Sequence, residues 1–194
     1  GYVASRMAGG CVKKAVVTLY GSFAETGRGH GTDKAVVAGL LGFAPDDDRL
    51  RIAPQLAKEW GRDIRVEFSD EEMKHPNTAG IVFENEDGRT IHMTGASIGG
   101  GNIIINKIND TEVSISGKSD TLVIPHDDVP GMIAVVTNIL ADKGVNIHGF
   151  SLGRDHKGGT AVMTIEIDGH VDESINDAIM ECPHIHASTI LKAI

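Results

Sequence analysis

Residues 21–33 read GSFAETGRGHGTD and combine a proton-carrying side chain with several glycines. Histidine is the side chain that changes charge near neutral pH without help, so His30 is a candidate base for removing a proton from carbon. Thr32, two residues later, could orient a substrate carboxylate or hydroxyl group. The neighbouring Gly31 would let a ligand approach the backbone closely. The pattern therefore indicates a reaction site.

The elements on either side of this segment decide how it would be displayed. The apolar run at 15–20 is typical of a strand, and the run at 34–41 is typical of a helix. Residues 21–33 are thus predicted to form a glycine-rich loop next to the free N–H groups of a helix N-terminus. A tight turn in which Thr32 or Asp33 only caps the helix explains the same residues equally well.

Two more segments in the first half of the chain carry polar groups on a constrained backbone. Residues 75–78, His-Pro-Asn-Thr, place a histidine beside two hydrogen-bonding side chains, although taken alone they are better explained as an ordinary turn. Residues 97–102, SIGGGN, could form an anion-binding nest from successive N–H groups. A bulged connection between two strands explains that second segment equally well.

In the second half, residues 128–131, Asp-Val-Pro-Gly, are typical of a helix start, with Asp128 as the cap and Pro130 in the first turn. A helix N-terminus can bind an amino-acid carboxylate, and Asn146 on the following strand could reach it. Capping alone is the better explanation when these residues are considered in isolation.

Histidines elsewhere are weaker candidates for chemistry. His184 and His186 lie two residues apart on one side of a predicted strand, and His126 precedes two aspartates. Metal binding is disfavoured at both places, because no cluster of carboxylates or cysteines accompanies them and Cys182 adds little. We therefore predict no metal ligands in this chain.

The chain is predicted to form two domains, 1–117 and 118–194, joined at Lys118–Asp120. In the first domain, a helix is expected from Ile52 to Trp60, with Leu56 and Trp60 facing inward and Gly61 ending it. Periodicity predicts the other elements there: a strand at 64–68, a hairpin of 81–83 and 90–94 around Glu86–Arg89, and strands at 103–108 and 112–115.

The second domain has a clearer pattern. Strands and amphipathic helices alternate in the order β-α-β-β-α-β, with Gly149 expected at a bulge in the second strand. This order is the ferredoxin-like arrangement. The fold class is therefore α/β in the broad sense (α+β): a mixed domain followed by a ferredoxin-like domain.

Composition excludes several classes of protein. The chain has 194 residues, a formal net charge of −9 and 41% hydrophobic residues, so it is globular and unsuited to nucleic acid or anionic membranes. It has no apolar run long enough for a membrane span and no visible signal peptide. Its two distant cysteines, Cys11 and Cys182, favour a reducing compartment such as the cytoplasm over a disulfide scaffold.

Taken together, GSFAETGRGHGTD, HPNTA, SIGGG and the β-α-β-β-α-β tail resemble the beta subunit of iron–sulfur-dependent L-serine dehydratase. The resemblance covers essentially the whole chain. It implies a first domain similar to the allosteric substrate-binding domain of some phosphoglycerate dehydrogenases and a C-terminal ACT domain, a module that commonly senses amino acids. The implied reaction converts L-serine to pyruvate and ammonia.

The resemblance also implies roles for residues and partners. A [4Fe–4S] cluster would bind the leaving hydroxyl, and because this chain has only two cysteines the cluster would sit on an alpha subunit. The implied site residues are these: catalytic His30 and Thr32; substrate-binding Gly31, Asp33, His75, Asn77, Thr78, Ser97, Gly99 and Gly100; and, for a regulatory amino acid, Asp128, Pro130, Gly131 and Asn146.

Three expectations remain. The family ordinarily begins with a segment containing Ser-Ser-Ser-His-Thr, which this sequence lacks, so the isolated fragment is expected to be inactive. ACT modules tend to pair through sheet edges or helix faces, which predicts a homodimer. The alternative to an enzyme subunit is a stand-alone amino-acid sensor without catalysis, which has no need of a proton acceptor such as His30.

Overall fold

The computed structural model describes residues 1–85 and 88–193 of the chain. They form two compact units, Gly1–Asn109 and Asp110–Ile194. The predicted domain boundary after residue 117 remains a prediction, while compactness divides the chain after Asn109. Two residues of the predicted hairpin turn, Glu86 and Asp87, lie outside the described residues.

The first unit is a mixed sheet with helices. Its helices are α1 (Tyr2–Met7), α2 (Ser22–His30), α3 (Thr32–Leu40) and α4 (Ala53–Glu59), with a 3₁₀ turn at Asp48–Ile52. Its strands are β1 (Lys14–Tyr20), β2 (Asp63–Ser69), β3 (Thr78–Glu84), β4 (Thr90–Gly99) and β5 (Asn102–Ile108). They lie in the order β2-β1-β3-β4-β5, with β1 and β2 parallel and the other neighbours antiparallel.

Buried and partly exposed residues alternate along β1, which identifies the side of the strand that faces the core. Ala15, Val17 and Leu19 are buried while the residues between them are partly exposed, as expected when one side of a strand faces the core. α3 and α4 contribute a hydrophobic cluster that includes Val37 and Ala57. The predicted strands and the β3–β4 hairpin are confirmed.

The predicted loop at 21–33 is wrong, because residues 22–30 form the helix α2. Glycine disfavours helix by about 1 kcal/mol per residue, but here tertiary packing overrides that preference. A Cβ on Gly27 would already lie 3.3 Å from the side chain of Leu19, so glycine permits the close approach of α2 to the sheet. Arg28 adds a cation–π contact with Phe68, 4.4 Å from the ring centroid. Only Gly31, with a φ of 76°, remains as a connection to α3.

The predicted helix at 52–60 is confirmed as α4, but Trp60 does not point fully inward. Its side chain is 44% exposed and meets Phe43 edge-on, with ring centroids 5.7 Å apart. Leu56 is partly buried against the α3–α4 cluster, as expected. The helix ends because Gly61 takes a positive φ.

The second unit begins with β6 (Thr111–Ile115) and continues through β7 (Thr121–Asp127), α5 (Met132–Asp142), β8 (Ile147–Arg154), β9 (Thr160–Ile167), α6 (Glu173–Met180) and β10 (Thr189–Leu191). From β7 onward the order is β-α-β-β-α-β and the sheet order is β10-β7-β9-β8. The ferredoxin-like prediction is confirmed. So is the bulge, because the pairing of β8 with β9 shifts register between Ile147 and Gly149.

The predicted cap of α5 is wrong. Gly131, with a φ of 95°, is the residue that precedes the helix, and Pro130 lies before it rather than in the first turn. Asp128 cannot cap α5 because its Oδ2 accepts hydrogen bonds from Arg154 and from the Gly158 N–H, both at 2.9 Å.

β6 packs against β8 and β9 within the second unit. Gly153 makes that approach possible, since a Cβ there would overlap the Glu112 carbonyl and lie 2.6 Å from Cγ2 of Thr111. Ser116, next after β6, donates from its N–H and hydroxyl to Oε1 of Glu166 on β9, at 3.1 and 2.5 Å.

The buried carboxylate of Asp120 joins three segments of the second unit. It stands just before β7 and accepts hydrogen bonds from Lys192 Nζ (2.9 Å), the Ala193 N–H (3.1 Å), the Val171 N–H (3.3 Å) and the His170 ring (3.2 Å). Burial alone raises the pKa of Asp120, but these hydrogen bonds outweigh burial and lower it from 3.8 to about 2. The side chain is only 1% exposed, so water screens these bonds little.

Replacement of Asp120 by asparagine is expected to reduce the free energy of unfolding by about 2 kcal/mol at neutral pH, the energy equivalent of its pKa shift. Because the folded state lowers this pKa, the stabilisation is complete above the ordinary pKa and disappears as the pH falls towards about 2. Urea unfolding at several pH values measures the difference. Asp142→Asn, at an exposed aspartate, is the matched control. A gap between Asp120→Asn and the unchanged chain that stays constant down to pH 2 would contradict this account.

Candidate functional site

The turn at residues 75–78 is held against the beginning of α2. The Ser22 N–H donates to the Pro76 carbonyl at 2.8 Å. Gly21 allows this contact, because it has a φ of 52° and any Cβ there would lie 2.6 Å from the same carbonyl oxygen. The structure thus brings together two of the sequence motifs, although at the opposite end of α2 from His30.

Internal hydrogen bonds fix the conformation of this turn. The Asn77 N–H donates to Nδ1 of His75 at 3.1 Å, and the Thr78 hydroxyl donates to the His75 carbonyl at 2.6 Å. Since Nδ1 accepts a hydrogen bond, the ring of His75 carries its own proton on Nε2 and presents a donor there. The Asn77 carbonyl in turn accepts from the Ser97 N–H at 3.0 Å, which brings Ser97 into the same cluster.

The glycine run at 99–101 is the turn between β4 and β5. Gly99, Gly100 and Gly101 all have positive φ values, and the Asn102 side chain donates to the carbonyls of Gly99 and Gly100 at 3.1 and 3.3 Å. The pairing also shifts register between Ser97 and Gly99. This geometry matches the bulged strand connection, the second of the two interpretations of SIGGGN.

His30, Gly31, Thr32 and Asp33 lie together where α2 ends and α3 begins. His30 is exposed, and within the described part of the chain neither its ring nor the Thr32 hydroxyl makes a hydrogen bond. Asp33 accepts only from the N–H of its neighbour Lys34, at 2.9 Å, so neither Thr32 nor Asp33 caps α3 through its side chain. α2 separates this group from Gly21 by about 13 Å of helix.

The loop at residues 128–131 connects β7 to α5. Oδ2 of Asp128 accepts from the Gly158 N–H and from Arg154, and these two hydrogen bonds, in that order, lower the pKa of Asp128. Asn146 does not reach this loop within one chain. It follows α5, whose 11 residues span about 16 Å, and its amide donates to Asp168 at 2.6 Å.

His126 is a candidate ligand-binding residue in the second unit that sequence reasoning treated only as a weak metal ligand. Its side chain is 2% exposed, and its Nδ1 lies 2.8 Å from the Asp127 carbonyl. Because a carbonyl only accepts, Nδ1 must be the donor, which leaves Nε2 as a buried acceptor without a partner among the described residues. The available signal was a polar residue at an inward-facing position of a buried strand, two residues after Ile124.

His184 and His186 do not lie on a strand, contrary to expectation. Both rings contact Asp127, His184 Nδ1 at 2.8 Å and His186 Nε2 at 2.7 Å, and together they lower the pKa of Asp127. In the part of the chain that the structure describes, no three histidine, cysteine or acidic side chains are arranged to hold a metal ion. Cys11 and Cys182 are both free thiols. The residues of this chain therefore do not fit an iron–sulfur cluster.

No helix among the described residues has the length and apolar character to cross a membrane.

Matches to family models identify the class of protein. Residues 3–95 match the family model for the serine dehydratase beta chain, and residues 121–184 match the ACT domain, the ferredoxin-like module seen in the second unit. Two relatives then fix the family. The chain is 40% identical to the probable L-serine dehydratase beta chain of Bacillus subtilis, covering 95% of this chain and 84% of that protein. It is 36% identical to the L-serine dehydratase beta chain of Peptoniphilus asaccharolyticus, covering 84% and 73%. The chain belongs to the family of L-serine dehydratase beta chains.

A more distant relative comes from another class of enzyme. The D-3-phosphoglycerate dehydrogenase of Methanocaldococcus jannaschii is 34% identical over 133 residues, which are 69% of this chain and 25% of that protein. This likeness agrees with the resemblance to phosphoglycerate dehydrogenases noted from the sequence.

Proposed function

We propose that this chain works with a cluster-bearing alpha subunit to convert L-serine to pyruvate and ammonia in the cytoplasm. The proposal is supported by 40% and 36% identity to L-serine dehydratase beta chains over most of their length. The alternative of a stand-alone sensor gains nothing from these comparisons. Since the described residues supply no set of cluster ligands, the [4Fe–4S] cluster belongs to the alpha subunit and this chain alone gives no turnover.

His30 is the proposed base in this reaction. A base must present a free ring nitrogen to the substrate, and the exposed imidazole of His30 makes no hydrogen bond in the described structure. In this role a ring nitrogen of His30 takes the proton from the α-carbon of serine. Thr32 orients the substrate or the ring, and Gly31 and Asp33 shape the backbone around them.

The turn at 75–78 serves the substrate or the subunit interface. His75 presents Nε2–H as a donor, and the side chain of Asn77 is uncommitted within the described residues, so both suit a carboxylate. Thr78 and Ser97 hold this turn, while Gly99 and Gly100 bound the same end of β4. The length of α2 favours the interface role, because it separates this cluster from His30.

His30→Gln is expected to lower kcat for pyruvate formation at least about a hundredfold in the enzyme reconstituted anaerobically with an alpha subunit, the usual loss for a general base. Glutamine keeps the polarity and approximate size of histidine but cannot take up the proton. His92→Gln, at an exposed histidine on β4, should leave kcat near normal. Retention of more than about a tenth of the normal kcat by His30→Gln would rule out the base assignment.

The second unit is proposed to bind a regulatory amino acid at residues 128–131. The observation that supports this is the buried Nε2 of His126, an acceptor that lacks a donor beside that loop. An ammonium group would supply the donor, and the N-terminus of α5 after Pro130 and Gly131 suits a carboxylate. Asp128 holds the loop through Arg154 and adds a second acceptor for the ammonium group.

His126→Phe is expected to weaken binding of the regulatory amino acid at least about tenfold, because a buried hydrogen bond to a charged group is lost. Phenylalanine keeps an aromatic ring at this buried position. Calorimetry on the isolated chain with L-serine and a panel of other L-amino acids measures the loss. His92→Phe, at an exposed histidine of the first unit, is the control. Equal affinities for His126→Phe and the unchanged chain would contradict this site.

The chain is proposed to form a homodimer through β8. This strand is an edge of its sheet, and Phe150 and Leu152 on it are 44% and 43% exposed. Both pair with core residues of β9 and so point towards the helix side, where Ile133 of α5 is also exposed. Large apolar side chains along an open edge favour pairing with another strand.

The proposed dimer would give Asn146 a place in the ligand site. β7 and β8 run parallel, because each is antiparallel to β9. Asn146 therefore lies before the start of β8, at the opposite end from Arg154 and its partner Asp128. If two copies of β8 pair antiparallel about a two-fold axis, the start of one lies beside the end of the other. Asn146 from one copy then reaches the 128–131 loop of the second copy and completes a site that one chain leaves incomplete.

The double substitution Phe150→Glu with Leu152→Glu is expected to give a monomer in light scattering at micromolar concentration, because charges along the edge oppose strand pairing. The same variant should bind the regulatory amino acid more weakly, since Asn146 comes from the second copy. Ile98→Glu, at an exposed residue of the first unit, should remain dimeric. A monomeric unchanged chain would rule out the dimer.

A further inference from the structure

The segment between α6 and β10, residues 182–188, lies along the end of β7 as a C-terminal strap. The Asp127 N–H donates to the His184 carbonyl, and the His186 N–H donates to the Pro125 carbonyl, both at 2.9 Å. Between these two bonds Ile185 pairs with His126 as an isolated antiparallel bridge. The strap is thus an extended segment joined to β7 by a single bridge, separate from β10.

A histidine clasp, formed by His184, His186 and Asp127, fastens this strap. The two rings contact different oxygens of one carboxylate. An ionised carboxylate only accepts, so both contacting ring nitrogens carry protons and the rings are held in fixed orientations. His184 has a φ of 70°, which a non-glycine residue keeps only where its surroundings hold it. These features describe a fastening rather than a metal centre, because the carboxylate itself occupies the space between the rings.

One residue of the strap, Ile185, is the neighbour of His126 across the bridge. Residues directly opposite in a bridge point to the same face, so Ile185 lies on the same side as the His126 ring. Ile185 also packs against the hydrophobic core of the second unit. The clasp is exposed, with the side chains of His184, His186 and Asp127 being 51%, 36% and 43% accessible, so water competes for its contacts. The exposed clasp therefore holds the strap from the opposite face of β7, while Ile185 of the strap lies beside the buried acceptor Nε2 of His126.

We propose that the strap is a gate: release of the histidine clasp lifts Ile185 and exposes Nε2 of His126 to a small ligand that carries an N–H or O–H donor. The inference rests on the proposed regulatory site beside residues 128–131. It adds that access to that site is controlled by a local opening of the C-terminal segment rather than by movement of α5.

Carbethoxylation of His126 by diethyl pyrocarbonate tests the gate on the full chain. This reagent modifies an accessible, unprotonated ring nitrogen, and peptide mass spectrometry under single-hit conditions reports the rate at each histidine. Asp127→Ala should raise the rate at His126 about tenfold, as expected when two exposed histidine–carboxylate contacts are lost. Asp142→Ala removes the same charge from an exposed site and should leave the rate unchanged.

Amide hydrogen exchange separates gate opening from unfolding. In Asp127→Ala the His186 N–H should lose protection while the Ile165 N–H in β9 keeps it. If Asp127→Ala unfolds as a whole, the double variant His184→Ala with His186→Ala releases the clasp from the other side and decides the question by the same two readouts. An unchanged rate at His126 in a folded variant without the clasp would overturn the gate.

Neither readout uses a ligand, so the gate and the regulatory site fail separately. Calorimetry with L-serine then compares Asp127→Ala with the unchanged chain. If the gate limits access, the variant binds more tightly, because a smaller fraction of the molecules is closed. Lack of amino-acid binding by both chains, together with faster modification of His126, would support the gate and reject the regulatory site.

Discussion

The second unit depends on how β7 holds the end of the chain. Carboxylates bracket this strand, Asp120 just before it and Asp127 at its last residue, and both bind the C-terminal segment. Asp120 is buried and accepts hydrogen bonds from four donors, so its contacts are strong and persistent. Asp127 is exposed and meets only two histidines, so its contacts are weak and reversible. The same chemistry thus attaches the segments on both sides of β10, with a buried carboxylate after it and an exposed carboxylate before it, and the exposed one is the attachment that we propose to open.

In the first unit, the position of α2 depends on its close approach to neighbouring segments. Gly21 admits the Pro76 carbonyl, and Gly27 admits the side chain of Leu19, so α2 is seated at both points by glycines. This seating fixes the end of α2, and therefore the position of His30, without any hydrogen bond to the imidazole. The ring is left unengaged because the positioning is done by the helix. This display suits the proposed role of His30 as a base for a substrate held by another subunit.

Much of the fold was predictable because it depends on local periodicity. Alternation marked the strands, and the bulge at Gly149 followed from the change of face along β8. The helix at 22–30 was not predictable in the same way, since its glycines disfavour helix and only packing against Leu19 and Phe68 explains it. The displacement of Asp128 from the cap of α5 likewise depends on Arg154, 26 residues away in sequence. Local patterns do not encode partners at such distances.

For the candidate sites too, the local sequence predicts residue types, whereas the distances between those residues depend on the fold. Residue types identified His30 and the 75–78 turn, but the length of α2 between them appears only in the structure. Both proposed sites are also incomplete within one chain: the described residues offer no metal-binding cluster to the proposed base His30, and Asn146 does not reach the 128–131 loop. A ligand that binds only a completed site stabilises the assembly that completes it, by mass action. In the proposed dimer, amino-acid binding at residues 128–131 and pairing of the β8 edges are therefore linked equilibria, and each strengthens the other by the same factor.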